Sequence, residues 1–412
     1  VDAISFDQDS ANRNDDKESS FRSQVGPILL LTGIFFVNFL ARIILAPLLP
    51  TIEKDLGVSH GEAGSLFLLI AIGYLISLLG SGFVASRLTH KRTIVLSATS
   101  IGIALLWISL SSSQLGIRLG LIMLGLAAGL YIPSGISTLT SLVNPSQWGK
   151  ALAIHELAPN VSAVAAPLLS EVLLKWFSWR GTLALLGSVS IIVGVTFAHF
   201  GKGGDFVGEA PSVTSFRTIL AIPAFWIITV LFGLAIGGSL GVYAMLPLFL
   251  VTERGIDRYW ANTLVALSRI SGVGMAFLAG WTTDRFGPRR TMVVVFLLTG
   301  LMTVLLGAVK GSWLILIVFL QPMLAVCFFP AGLAAISCIG PTSSRNVAVS
   351  LTIPFAFLVG AGAIPTGIGI MGDSVSFALG FALVGVLILA GFMLSLILKL
   401  PEENKCPTSF YQ

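Results

Sequence analysis

Charge is what this chain has least of. Of its 412 residues only 10% are Asp, Glu, Lys or Arg, while 55% are hydrophobic. A water-soluble domain carries about 25% charged residues, so this sequence cannot cover itself with a polar surface. Cysteine is scarce too: Cys327, Cys338 and Cys406 make up the whole complement. A helix would hold Cys327 and Cys338 roughly 16 Å apart, beyond disulfide reach. With four histidines and no CxxC, no metal or redox framework is suggested. HExxH, GxSxG and paired aspartates inside apolar runs are all missing, so we expect no enzymatic activity and no cofactor. The net charge of +5 lies in short loops, not on a basic face interleaved with aromatics. That excludes a nucleic-acid footprint and makes the lipid bilayer the natural surrounding.

Long apolar runs are what the chain does have. A bilayer-spanning helix needs about 20 mostly apolar residues. Twelve stretches qualify: 26–50, 61–83, 92–111, 115–143, 149–173, 179–200, 217–250, 260–283, 290–309, 312–340, 346–371 and 374–399. They are Leu-, Ile- and Ala-rich without the alternation of a barrel strand, which predicts an all-α membrane protein of twelve transmembrane helices. Residues 1–25 are polar and lack a basic segment followed by an apolar core. They are expected to be a disordered cytoplasmic tail and not a cleaved signal. Residues 400–412 form a second tail. Counting Lys and Arg places 15 of the 24 on the side of the two termini, which puts both termini in the cytoplasm of a bacterial-type inner membrane. Ser59 and Glu62 read as a capping box opening the second span, and Trp176, Trp179, Trp260 and Trp313 as interfacial anchors.

The chain also repeats itself. Gly57 answers to Gly255, Gly82 to Gly280 and Pro167 to Pro365, each at an offset of 198 residues. Two six-helix halves follow, 26–200 and 217–399, joined by a cytoplasmic linker at 201–216. Repeated halves around a midplane site are a recurring transporter architecture. Glycine and proline crowd spans 7 and 11, with Gly233, Gly237, Gly238 and Gly241 in one and Gly360, Gly362 and Pro365 in the other. That density permits bends and close helix approach.

The turn after span 8 reads Gly280-Trp-Thr-Thr-Asp284-Arg285-Phe-Gly287-Pro-Arg289-Arg290. It resembles, at every defined position, the G-x-x-x-D-R-x-G-x-R-R loop of major facilitator superfamily secondary transporters. The first half has a degenerate copy, Gly82-Phe-Val-Ala-Ser86-Arg87-Leu-Thr89-His90-Lys91-Arg92, with Ser86 in place of the acid and Thr89 in place of the second glycine. The resemblance covers residues 26–399. It implies a twelve-helix carrier working by alternating access, usually as a monomer, in which Gly280, Asp284, Arg285, Gly287, Arg289 and Arg290 latch the cytoplasmic gate. Gly82, Arg87 and Arg92 are the weaker counterpart. Span 5 lacks the G-x-x-x-G-P run of the drug/proton antiporters.

Ionisable residues within a span are costly, and each is a functional candidate. Arg42 in span 1 and Arg269 in span 8 lie at matching depth in opposite halves. We expect them to face each other across a central cavity and to bind a small anionic substrate, since Arg forks suit carboxylates. Asn38, one turn from Arg42, and Ser268, beside Arg269, are expected to assist, as are Tyr74, Tyr131 and Tyr243. His155 and Glu156 lie inside span 5 and are the candidates for carrying a coupled proton. Together these features suggest proton-coupled transport of a small carboxylate. The alternative is an exporter of hydrophobic drugs or metabolites in which the arginines are structural.

Overall fold

The structure, a computed structural model, describes residues 3–208, 219–339 and 345–398. Twelve helices are long and apolar enough to cross a membrane: α1 (Phe21–Leu56), α2 (His60–Arg87), α3 (His90–Leu110), α4 (Gln114–Leu142), α5 (Pro145–Leu173), α6 (Trp179–Phe200), α7 (Pro223–Thr252), α8 (Arg258–Phe286), α9 (Pro288–Ala308), α10 (Ser312–Ser337), α11 (Ala348–Ser374) and α12 (Phe377–Ile397). All twelve predicted spans are present. The first helix extends back to Ala3, where the sequence reading expects a disordered tail. No glycine or proline precedes Gly26 to interrupt it. The expected linker is described only to residue 208, and the tail from 400 lies outside the described residues.

Helix ends follow local chemistry. Ser59 and Glu62 form the expected capping box: Ser59 N–H donates to Glu62 Oε2 at 3.2 Å and Glu62 N–H to Ser59 Oγ at 3.3 Å. The repeat-related Gly57 and Gly255 both take left-handed backbone, with φ of 62° and 65°, which only glycine adopts freely. Between α8 and α9 the turn is Gly287 alone, at φ 84°. In the first half Leu88 and Thr89 make that turn in extended backbone, and Thr89 Oγ1 caps α3 by accepting from Arg92 N–H. The missing glycine is thus replaced by a cap. Trp176, Trp260 and Trp313 are exposed at span ends, as anchors should be. Trp179 is not: it is buried and donates to Asp55 at 3.0 Å, because Asp55 and Arg180 pair around it.

Packing repeats between the halves. Helix α2 lies on α4 as α8 lies on α10; α3 on α6 as α9 on α12; α1 on α5 as α7 on α11. Across the halves, α2 meets α11, α5 meets α8, and α1 meets α7. Glycines permit the closest approaches. A Cβ on Gly73 would fall 2.2 Å from the Ile122 carbonyl oxygen, and one on Gly125 would fall 2.1 Å from that of Ile70.

Because spans alternate in direction, the α1–α2, α5–α6, α7–α8 and α11–α12 turns share one end. There the halves are clasped. Asp373 of α11 accepts from His60 N–H and Gly61 N–H of α2, both at 2.8 Å. Glu171 of α5 accepts from Asn262 Nδ2 at 2.6 Å and pairs with Arg258 at 3.3 Å, both on α8. The opposite end carries the two signature turns. Among the described residues, neither makes a hydrogen bond or ion pair to the other half. Asp284 is exposed, Arg285 stacks beside Trp281, and Arg289 bonds the carbonyls of Ser395 and Leu396 in its own half.

Candidate functional site

Broken helices build the interior. Proline and glycine free backbone carbonyls inside the membrane, and each freed group needs a partner. Helix α4 breaks at Leu130, just before Pro133. The carbonyl of Ala127 accepts from Ser97 Oγ at 2.7 Å and that of Ala128 from Asn38 Nδ2 at 3.1 Å. Helix α7 widens into a π turn at Gly237–Gly241. There Gln321 Nε2 donates to the Gly238 carbonyl at 2.8 Å and Arg269 to that of Ser239 at 3.0 Å. A second π turn, Leu358–Ala363, interrupts α11. The two glycine-rich helices are therefore irregular where the sequence leads one to expect bends.

A cavity lies between the halves, walled by α1, α2, α7 and α11. Arg42, Tyr74 and Tyr243 line it. The Arg42 guanidinium is buried, and its carbon lies 4.6 Å from the Tyr74 ring centroid, 4.8 Å from Phe39 and 5.6 Å from Phe357. Aromatic faces attract the cation but supply no lone pair in the plane of its N–H groups. Arg42 Nε has no hydrogen-bond partner, and among the described residues no carboxylate pairs with this arginine. A buried positive charge is thus held by rings, with at least one donor unmet.

Arg269 is placed differently. Its guanidinium carbon lies 4.7 Å from the Tyr243 ring, and one of its donors goes to the Ser239 carbonyl, while its Nε, like that of Arg42, has no hydrogen-bond partner. Tyr243, not Arg269, lines the cavity. The expectation of two guanidiniums facing each other is therefore corrected: the π turn of α7 occupies the second arginine. Asn38 and Ser268 are also elsewhere. Asn38 serves the broken α4, and Ser268 bonds Val265 within its own helix. One helical turn of separation from Arg42 does not select the cavity face on a helix buried from several sides.

Tyr131 belongs to a second cluster, with His155. Pro159 cannot donate to the His155 carbonyl, and α5 breaks at Glu156. The break buries His155 and leaves Glu156 exposed, its side chain 58% accessible. Tyr131 Oη lies 3.0 Å from His155 Nε2 and donates to the Leu31 carbonyl at 2.8 Å. Phe35 stacks on both rings, with centroids 4.5 Å from His155 and 5.3 Å from Tyr131. His155 Nδ1 has no hydrogen-bond partner and lies 3.5 Å from Glu156 Oε1.

The carboxylate that sequence reasoning missed is Glu171. It is 6% exposed and bonds Asn262 and Arg258. Its place near the end of an apolar run hid its burial, because depth along a helix does not say which face meets the other half. Among the described residues no cluster suited to a metal ion occurs.

The sequence profile of the Major Facilitator Superfamily matches residues 31–281 and 260–410. This chain belongs to the major facilitator superfamily. It is a transporter of that family, built as two pseudo-symmetric six-helix halves. The chain is 24% identical over 285 residues to the probable nitrate/nitrite transporter NarK2 of Mycobacterium tuberculosis, covering 66% of this chain and 70% of that one. It is 23% identical over 277 residues to the probable sulfoacetate transporter SauU of Cupriavidus necator, covering 62% and 64%. Among solved structures, a bacterial homologue of the human lysosomal transporter Spinster, inward-facing and occupied, superposes with a TM-score of 0.78 at 17% identity, covering 92% of this chain and 96% of that one. In this superfamily member the signature turns sit at the unclasped end and the arginine-bearing cavity between the halves.

Proposed function

We propose that this superfamily member carries a small organic anion, a carboxylate, across the cytoplasmic membrane by alternating access, coupled to protons. The observation that carries the reading is Arg42: a buried guanidinium on the cavity wall, ringed by Phe39, Tyr74 and Phe357, with no carboxylate partner among the described residues. An isolated charge in a low-dielectric site is costly. An anion that enters the cavity supplies the missing countercharge and accepts the unmet N–H. Relatives named for nitrate and for sulfoacetate transport fit an anionic substrate.

With both termini cytoplasmic, as the Lys/Arg bias indicates, the signature turns face the cytoplasm. The clasped end then faces outward, and the disengaged turns fit an inward-open state. The proton is assigned to His155 and Glu156, where a ring nitrogen without a partner adjoins a carboxylate.

Thermal unfolding of detergent-purified protein tests the anion site, since a ligand raises the midpoint only by favouring the folded state. Carboxylates should stabilise the wild type and leave Arg42→Ala unmoved. Arg269→Ala should lose stability but keep the carboxylate response. Stabilisation of wild type and Arg42→Ala alike by neutral drugs or lipophilic cations, with none by anions, would replace this reading with the exporter of hydrophobic compounds.

A further inference from the structure

The cavity wall says more about the anion than its charge. Ten of the thirteen residues that line it are Phe, Ile, Leu or Ala, and the other three are Arg42, Tyr74 and Tyr243. Arg42 is the sole charged residue of this wall. The other membrane-buried guanidinium, Arg269, is not on this wall: it gives one N–H to the Ser239 carbonyl behind the Tyr243 ring, and Tyr243 Oη donates across the halves to the Ala163 carbonyl at 3.3 Å. One cation, then, faces an otherwise apolar space between the halves, the usual make-up of a small-molecule site, mostly apolar with a few placed polar groups.

We infer that the substrate is a monocarboxylate with an aromatic or other apolar body; this rests on the anion-carrier reading and narrows it. A single guanidinium neutralises one carboxylate, and a second carboxylate would lie uncompensated against Phe, Ile and Ala. Nitrate would satisfy Arg42 but bring no apolar surface to the Phe, Ile, Leu and Ala side chains of the wall, forgoing apolar contact. A sugar-like or polyhydroxy body would bring hydroxyls to a wall with few acceptors, losing hydrogen bonds to water without replacement. A flat ring, by contrast, meets Tyr74, Phe357 and Phe67, which reward ring-to-ring contact.

The repeat identifies the change that should switch specificity. Leu240 answers to Arg42 at the 198-residue offset and lines the same cavity from α7. Leu240→Arg would set a second guanidinium opposite the first.

The test is equilibrium binding of benzoate, acetate, succinate and nitrate to the purified full-length protein. Benzoate should bind wild type at least roughly tenfold tighter than acetate, for the apolar area its ring buries, and tighter than succinate or nitrate. Leu240→Arg should move the succinate-to-benzoate ratio toward succinate by about tenfold or more. Succinate or nitrate binding wild type as tightly as benzoate would overturn the inference and leave the anion-carrier reading standing. No binding by any of the four would overturn both. If Leu240→Arg does not fold, the wild-type ranking decides alone.

Discussion

Tyr131 Oη lies 3.0 Å from Nε2 of His155, and this contact orients the buried ring. A tyrosine hydroxyl has one hydrogen, and Tyr131 gives it to the Leu31 carbonyl. It therefore accepts from Nε2–H, and the ring's lone pair is at Nδ1. That nitrogen has no hydrogen-bond partner and lies 3.5 Å from Glu156 Oε1. In the proposed coupling, this pair is the route by which a proton would enter.

Glu156→Gln should therefore retain carboxylate binding at fixed pH but lose the acceleration of uptake by an imposed pH gradient. Proteoliposome uptake with and without the gradient measures this. Undiminished acceleration in the variant would remove Glu156 from the proton path.

Tyr131→Phe keeps the ring stacked on Phe35 but removes the hydroxyl that orients His155. We expect a modest loss of stability, about 1 kcal/mol for one buried hydrogen bond, and a weakened response to the pH gradient. Fluorescence-monitored unfolding and the same uptake assay separate the two effects. A normal gradient response would mean that the tautomer is held by something else.

The Glu171 clasp holds α5 to α8 where the halves close. Glu171→Ala leaves Asn262 with only the Pro47 carbonyl and Arg258 with only the Thr51 hydroxyl, both at 3.3 Å, and should cost ~1–3 kcal/mol of stability in this closed arrangement. The cavity should also become reachable from the clasped side. Labelling of a cysteine introduced at Ala244, in a background without native cysteines, reads that access. Equal labelling rates from that side with and without Glu171 would show that the clasp does not gate.

Asp284 is exposed and unpaired to the other half in this state. Asp284→Asn should leave thermal stability within about 0.5 kcal/mol of wild type, as surface changes do, while transport slows. A matching loss of stability would place the Asp284 contact in the present state and not in its opposite.

Gly125 admits the backbone of α2 so closely that a Cβ would lie 2.1 Å from the Ile70 carbonyl oxygen and 2.8 Å from the Tyr74 nitrogen. Gly125→Ala must part the helices at the residue that shields Arg42. Overpacking of this kind costs about 1–3 kcal/mol, and carboxylate affinity should fall with it. Unchanged affinity in a stable variant would show that the α2–α4 contact does not position Tyr74.

Much of this was legible in the sequence. Span number, the 198-residue repeat and the turn glycines are set by local rules: apolar length, backbone handedness, capping oxygens. Gly57 and Gly255 were recognisable because left-handed backbone needs glycine wherever it falls. The site was only half legible. Arg42 could be found because a charge inside an apolar run is conspicuous. Its partner was misjudged because depth fixes height in the bilayer but not direction, and a π turn in α7 gave Arg269 a carbonyl to serve. Glu156, expected inside a span, is exposed, and Glu171, which the sequence did not single out, is buried, for a related reason. The break before Pro159 leaves the first exposed, and α8 covers the second.

The most direct test of the central claim is counterflow of radiolabelled benzoate in proteoliposomes containing wild type or Arg42→Ala, with no pH gradient imposed. The account predicts rapid exchange by wild type and about a hundredfold loss in the variant, as expected for a charge-assisted anchor worth roughly 3 kcal/mol. Exchange by Arg42→Ala at the wild-type rate would contradict it.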